Sequence, residues 1–217
     1  MSTVEHNQCT CKIGRVADVA NFQTEVRQLL RERILDAARV IVCTEGWGAV
    51  NMSRVAKDVG VSRPVLYKEI GTRQALADVL IERELSAFLA GIAETLQAHD
   101  DPIAGMTAAA EYVLRTGADN VLLKAVLSGR HSGDTTLLPA LMTEPEPVLG
   151  RAIQALTVIF RVRYGHVAIG DAELASVLEI FARLCLSHLF QPLGPTDPAV
   201  DQIGLVIRSV FSAVTAE

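Results

Sequence analysis

Three groups of residues have the types needed for chemistry, and their spacing separates them. Arg63, Tyr67 and Lys68 lie in Ser62-Arg63-Pro64-Val65-Leu66-Tyr67-Lys68-Glu69-Ile70. Helical periodicity turns Leu66 and Ile70 to one side of this stretch and leaves Arg63, Tyr67 and Lys68 projecting outward, a surface suited to the grooves and phosphates of a duplex. His6-x-x-Cys9-x-Cys11 is a thiol–imidazole cluster of metal-binding type. No fourth ligand stands nearby, so no metal is assigned, and oxidation sensing through Cys9 or Cys11 stays open beside it. His131, Ser132 and Asp134 have the residue types of a hydrolytic triad. Neighbours in one loop rarely meet as a triad, and the strand–turn–helix context of a nucleophile elbow is missing. Residues 129–133 are no phosphate loop, since no Gly-Lys-Ser/Thr follows. No enzyme and no cofactor are expected.

Composition agrees with a binding protein. At 217 residues, 50% hydrophobic and 21% charged, the chain is too apolar for disorder and long enough for a sizeable core. No apolar run reaches the roughly 18 residues a membrane span needs. Residues 1–16 lack the apolar stretch of a secretory signal, and four cysteines make no disulfide framework. A cytosolic, soluble, globular protein is expected, with no membrane partner. The net charge of −5 is unevenly spread. Residues 24–75 hold nine Lys or Arg against six Asp or Glu, whereas residues 76–217 hold nine against seventeen. A basic front on an acidic body fits a nucleic-acid module joined to another domain, although random drift in composition would also produce it.

The elements that must position Arg63, Tyr67 and Lys68 are helices. Leu30, Ile34, Ala37, Ala38 and Ile41 form one amphipathic stripe that ends at Gly46-Trp47-Gly48. Asn51 caps a short helix over 52–59, ended by Gly60; Ser62 caps another over 63–70; Gly71-Thr72 leads into a long helix over 73–98. Further helices are predicted over 103–116, 120–128, 148–164, 171–190 and 198–215, with Gly117 and the loop 129–134 as breaks. Nothing alternates with period two for long. The fold class is all-α with about nine helices: a flexible tail over 1–23, a three-helix DNA-binding bundle over 24–75, and a larger helical domain over 76–217.

Helices of two turns, such as 52–59 and 63–70, are unstable alone and need a third helix, which the 30–41 stripe supplies. Val55, Ala56 and Val59 form an inner face, and Gly60 permits the positive φ of a sharp turn. The Ser62 hydroxyl is expected to accept from the Val65 amide, because Pro64 has none to offer. These features make a helix-turn-helix whose second helix enters a major groove. Helix–Gly–helix corners also occur in ordinary cores, so spacing alone leaves both readings open.

Residues 33–80 also resemble the DNA-binding domain of the tetracycline-repressor (TetR) family. Arg33-Ile34-Leu35-Asp36-Ala37-Ala38 is similar to its first helix, Gly46-Trp47 to its turn, Val55-Ala56, Gly60-Val61-Ser62 and Leu66-Tyr67 to its helix-turn-helix, and Thr72-Arg73-Gln74-Ala75-Leu76 to the start of its fourth helix. The resemblance implies that Arg63, Pro64 and Lys68 face bases or flanking phosphates, that Tyr67 bonds a phosphate, and that Ser53, Arg54 and Arg73 contact the DNA backbone. Three positions depart from the family pattern: Ile70 replaces a usual Phe, Glu69 places a carboxylate near phosphates, and Arg73 stands for a usual Lys.

The resemblance further implies that the rest of the chain is an effector-binding and dimerisation domain. Leu174, Val177, Leu178, Phe181 and Cys185 form one apolar stripe, and Ile203, Val206, Ile207, Val210 and Phe211 another. These stripes are expected at a homodimer interface, with burial inside one protomer as the alternative. Phe88, Ile92, Leu96, Met106, Tyr112, Val126, Phe160 and Tyr164 are candidates for lining an effector cavity, or are plain core. Arg115, Arg130 and His131 are candidate anchors for a polar head. The expected activity is that of a repressor that binds a (pseudo)palindromic double-stranded operator as a dimer and is released by a small apolar or amphipathic effector. A helical small-molecule-binding protein of the same fold with little operator affinity is the alternative.

Overall fold

The computed structural model describes residues 10–120 and 149–214, with side chains from Phe22 onward. Among them are eight α-helices: α1 (Thr10–Glu45), α2 (Met52–Val59), α3 (Arg63–Ile70), α4 (Arg73–Gln97), α5 (Pro102–Asp119), α6 (Arg151–Tyr164), α7 (Asp171–Phe190) and α8 (Thr196–Val214). The all-α expectation holds. The helix expected over 120–128 and the loop 129–134 lie outside the described residues, apart from Asn120, which caps the C-terminus of α5. The first helix begins at Thr10, inside the stretch expected to be a tail. Residues 15–45 contain no glycine or proline, so nothing there interrupts the hydrogen-bond ladder once the 30–41 stripe is docked.

Two apolar cores organise the chain. In the first, Ile34, Leu35, Ala38, Ile41 and Val42 of α1 pack against Trp47, Val55, Ala56, Leu66 and Ile70, and against Leu76, Ala77 and Leu80 of α4. The second runs from Ile92 of α4 through α5, α6 and α7 to Phe211 of α8. Helix α4 belongs to both.

Local chemistry sets the corners. Gly46 (φ 84°) and Gly60 (φ 79°) take positive-φ conformations that let α1 and α2 end sharply, Gly60 in the left-handed helical region. The Asn51 side chain accepts from the Ser53 and Arg54 amides, and Thr72 accepts from Ala75. Ser62 departs from expectation. Its hydroxyl makes no capping bond, and only its backbone carbonyl accepts, from Leu66; with Pro64 at the helix start, one of the orphan donors a cap would serve is already gone. Gly117 is no break either, because α5 runs through it to Asp119. A Cβ there would approach Leu189 Cδ2 at 2.5 Å, so this glycine lets α5 and α7 pack closely.

The stripes of α7 and α8 turn inward. Leu174, Val177, Leu178, Phe181, Cys185, Ile203, Ile207 and Phe211 are each no more than 3% exposed within a single protomer. Within one protomer the same apolar faces fill the chain's own second core, because α4, α5 and α6 supply the opposing walls, which is the burial held as the alternative to a dimer interface. Val206 and Val210 are half-buried. Ile180 and Leu205 are the large apolar residues that these two helices leave exposed.

Candidate nucleic-acid interface and the adjoining cavity

Helix α3 is held by Leu66 and Ile70, both buried in the first core. Its opposite face presents Arg63, Pro64, Tyr67 and Lys68, all exposed. Ser53 at the start of α2 is exposed too. Arg54, the next residue of α2, is already engaged: its Nη1 donates to Glu45 at 2.8 Å, and its Nε lies 3.8 Å from Asp58. That pairing holds the Glu45 carboxyl below its ordinary range and raises the Arg54 guanidinium.

Arg73 does more than its sequence position suggests. Its Nη2 donates to the Trp47 carbonyl at 2.7 Å, and its guanidinium lies 4.9 Å from the centre of the Trp47 ring. It therefore ties the start of α4 to the corner that follows α1. Glu69, the carboxylate expected near phosphates, is folded back instead: its side chain is 7% exposed, and Arg27 Nε of α1 donates to it at 3.2 Å. A negative charge in the recognition helix is thus covered by a cation contributed from outside the motif.

Charge pairing also separates the two halves. Arg31, Arg33, Lys57, Arg63 and Lys68 pair with no carboxylate among the described residues. Beyond Arg73, every described arginine except Arg208 sits against one: Arg83, Arg115, Arg151, Arg161, Arg163 and Arg183. The cations left for an external anion are concentrated around the helix-turn-helix.

A cavity of about 190 Å³ lies between α4, α5, α6 and α7. Ile81, Leu85, Phe88, Leu89 and Ile92 of α4 face it, with Val113, Leu149, Ala152, Leu156, Phe181, Ala182, Cys185, Leu186, Leu189 and Phe190. Glu84 and Asn120 are its polar groups. Glu84 Oε1 accepts from Arg39 Nε at 2.8 Å, and its Oε2 accepts from Asn120 Nδ2 at 3.3 Å. Burial pushes the Cys185 thiol up to about 12.

Of the expected effector-site residues, the structure brings Phe88 and Ile92 to this cavity. Leu96, Met106, Phe160 and Tyr164 are fully buried core instead. The Tyr164 hydroxyl is spent on the carbonyls of Leu96 and His99, which end α4. Tyr112 packs over Gly91 and is not among the residues lining the cavity. Arg115 is not among the residues lining this cavity and pairs on the surface with Glu111 and Asp197, each at 2.8 Å. Val126, Arg130, His131, Ser132, Asp134, His6 and Cys9 lie outside the described residues. Glu84, Asn120 and the α7 wall went unread in the sequence; the Ile81, Leu85, Phe88, Ile92 spacing along α4 was the available signal.

Residues 34–80 match the family described as bacterial regulatory proteins, tetR family, and residues 101–208 match the bacterial tetracyclin repressor C-terminal domain. The HTH-type transcriptional regulator AlkX of Mycobacterium tuberculosis is 30% identical over 168 residues, spanning 76% of this chain and 77% of that protein. The chain belongs to the TetR family of transcriptional regulators. TetR regulators bind DNA and small-molecule effectors, and the family is not one of enzymes. The crystal structure of AlkX from Dietzia sp. strain DQ12-45-1b, a TetR family repressor implicated in biodegradation of n-alkanes, has a TM-score of 0.69 at 25% identity, covering 85% of this chain and 96% of that one. The complex of RolR with resorcinol shares the fold, with a TM-score of 0.57 at 15% identity and coverage of 89% and 97%. Among the described residues, no helix of this TetR regulator is long and apolar enough to cross a membrane.

Proposed function

We propose that this TetR regulator is a repressor that binds a (pseudo)palindromic operator as a homodimer and is released by a small, apolar or amphipathic effector. The observation that carries the DNA-binding part is the outer face of α3, where Arg63 and Lys68 stand exposed and unpaired beside Tyr67. Arg63, near the N-terminus of α3, is suited to bidentate pairing with guanine; Pro64 and Lys68 flank it. Tyr67, Ser53, Arg54 and Arg73 serve phosphates, with Arg54 and Arg73 held in place beforehand by Glu45 and Trp47. A dimer follows from the geometry of duplex DNA, since two recognition helices must reach successive major grooves about 34–36 Å apart. With their inner stripes used by the core, α7 and α8 offer a partner their outer faces, where Ile180 and Leu205 are exposed.

The cavity supports an apolar effector. An engineered apolar cavity of about 150 Å³ takes up benzene; the space here is of similar size at about 190 Å³, opens partly to solvent, and is lined almost wholly by apolar side chains. The n-alkane context of the Dietzia relative agrees with such a ligand.

Selecting sites from random DNA and titrating salt tests the DNA-binding part. Operator affinity should fall by about 0.9 log units per log unit of salt for each phosphate neutralised. Arg63→Ala should relax base preference at its position, whereas Tyr67→Phe should weaken all sequences alike. No selected site, or an affinity indifferent to salt and to both substitutions, would leave the protein as a small-molecule-binding member of the fold.

A further inference from the structure

The two cores are joined along α4 by a stretch that belongs to neither. Ile81 is the last α4 side chain packed against the first core, and Leu89 the first packed against the second. Between them the attachments are polar. Arg83 reaches Asp36 of α1 at 2.8 Å and Glu32 at 3.4 Å; Glu84 holds Arg39 of α1 at 2.8 Å; Glu82 lies 3.9 Å from Arg151 of α6. On its other side this stretch faces the cavity through Leu85 and Phe88.

Glu84 differs from its neighbours in having both roles. It lines the cavity, where Asn120 donates to one of its oxygens, and with the other oxygen it grips the helix that carries the DNA-binding bundle. Its side chain is 18% exposed against 43% for Arg39, so the carboxylate is the sheltered end of the pair and the guanidinium the more solvent-open one. A partly sheltered pair is screened less than the exposed ion pairs elsewhere on the chain.

We propose that Glu84 transmits occupancy of the cavity to the DNA-binding bundle, with Arg39 and Asn120 as its positioning partners. The proposal rests on the cavity being the effector site. An apolar molecule in the cavity makes no hydrogen bonds to Glu84 or Asn120, and one larger than about 190 Å³ gains room by displacing wall residues, these two among them. The 3.3 Å bond to Asn120 is the longer of the two and yields first. Glu84 then shifts with Arg39 attached. Because α1 supplies the largest share of the first core, a change at Arg39 re-aims α3 as a unit. The effector thereby favours a state in which the α1–α4 junction is altered, which is the differential affinity that release requires.

The test uses the full chain, a selected operator, and 1-hexanol and 1-octanol as probes, with alcohol affinity and operator affinity measured separately. In the parent, saturating alcohol should weaken operator binding by about 5- to 150-fold, the usual range of such coupling. Arg39→Gln, whose side chain does not line the cavity, should leave alcohol affinity within about threefold while reducing release to less than about twofold. Arg39→Lys, which keeps the charge, should recover part of the release and shows that the Gln variant has not failed through misfolding. Arg83→Gln, which loosens the same two helices without touching the cavity, should release normally. Normal release by Arg39→Gln overturns the role of Glu84 alone, as does equal loss of release in Arg83→Gln. A parent that neither binds the alcohols nor releases DNA overturns the effector reading and this proposal with it.

Discussion

Replacing Arg73 by Ala should damage the fold as well as the DNA contact. The side chain donates one hydrogen bond to the Trp47 carbonyl at 2.7 Å and stacks 4.9 Å from the Trp47 ring centre. A hydrogen bond from a charged donor contributes about 1.5–3 kcal/mol, and a cation–π contact at a partly exposed site about 0.5–1 kcal/mol. One guanidinium makes both, so the two do not add fully, and about 2–3 kcal/mol is the expected loss. In a chain of this length each kcal/mol lowers Tm by roughly 2–4 °C, which places the Arg73→Ala midpoint about 5–10 °C below the parent if the two cores melt together. Trp47 is the protein's one tryptophan and is 8% exposed, so its emission reports on this corner directly and should shift to the red. Arg73→Lys should recover only part of the loss, since an ammonium lacks the planar fork that reaches carbonyl and ring together. If Arg73→Ala leaves both Tm and Trp47 emission unchanged while operator affinity falls, the clasp holds nothing and Arg73 acts on DNA alone.

Arg27→Gln should weaken operator binding by uncovering the Glu69 carboxylate beside the recognition face, and adding Glu69→Gln should restore much of that loss; no recovery in the double variant would mean that Arg27 acts independently of Glu69. Cys185 gives a pH signature. Its thiol rises from an ordinary 9.0 to about 12, so the folded state keeps a proton that the unfolded chain releases, and this contribution is complete below pH 9 and lost as pH climbs toward 12. Thermal unfolding from pH 8 to 10.5 should therefore show a steeper decline in the parent than in Cys185→Ala, and parallel declines would refute the burial argument.

The helix-turn-helix was legible in the sequence because its determinants are local. Asn51 and Thr72 cap, Gly46 and Gly60 turn, and Leu66 and Ile70 sit at one helical spacing; each acts within a few residues of itself. The family resemblance over residues 33–80 rested on the same short-range features, and the family model matches residues 34–80. Ser62 and Gly117 were misread for a related reason. Both have the types that usually mark helix ends, yet Pro64 had already removed a donor, and Leu189, distant in sequence, needed the space at Gly117.

Helical periodicity by itself determined that α7 and α8 each bury one face, and that α3 shows its cations to solvent. What those buried faces meet was settled only by tertiary structure, which placed Phe181 and Cys185 on the wall of an interhelical cavity, covered Glu69 with Arg27, and joined Arg39 to Asn120 through Glu84. An apolar stripe specifies that water must be excluded from it but carries no address for its partner, because burial is non-directional. An ion pair between residues 45 positions apart likewise depends on how two helices dock, and no local rule contains that distance.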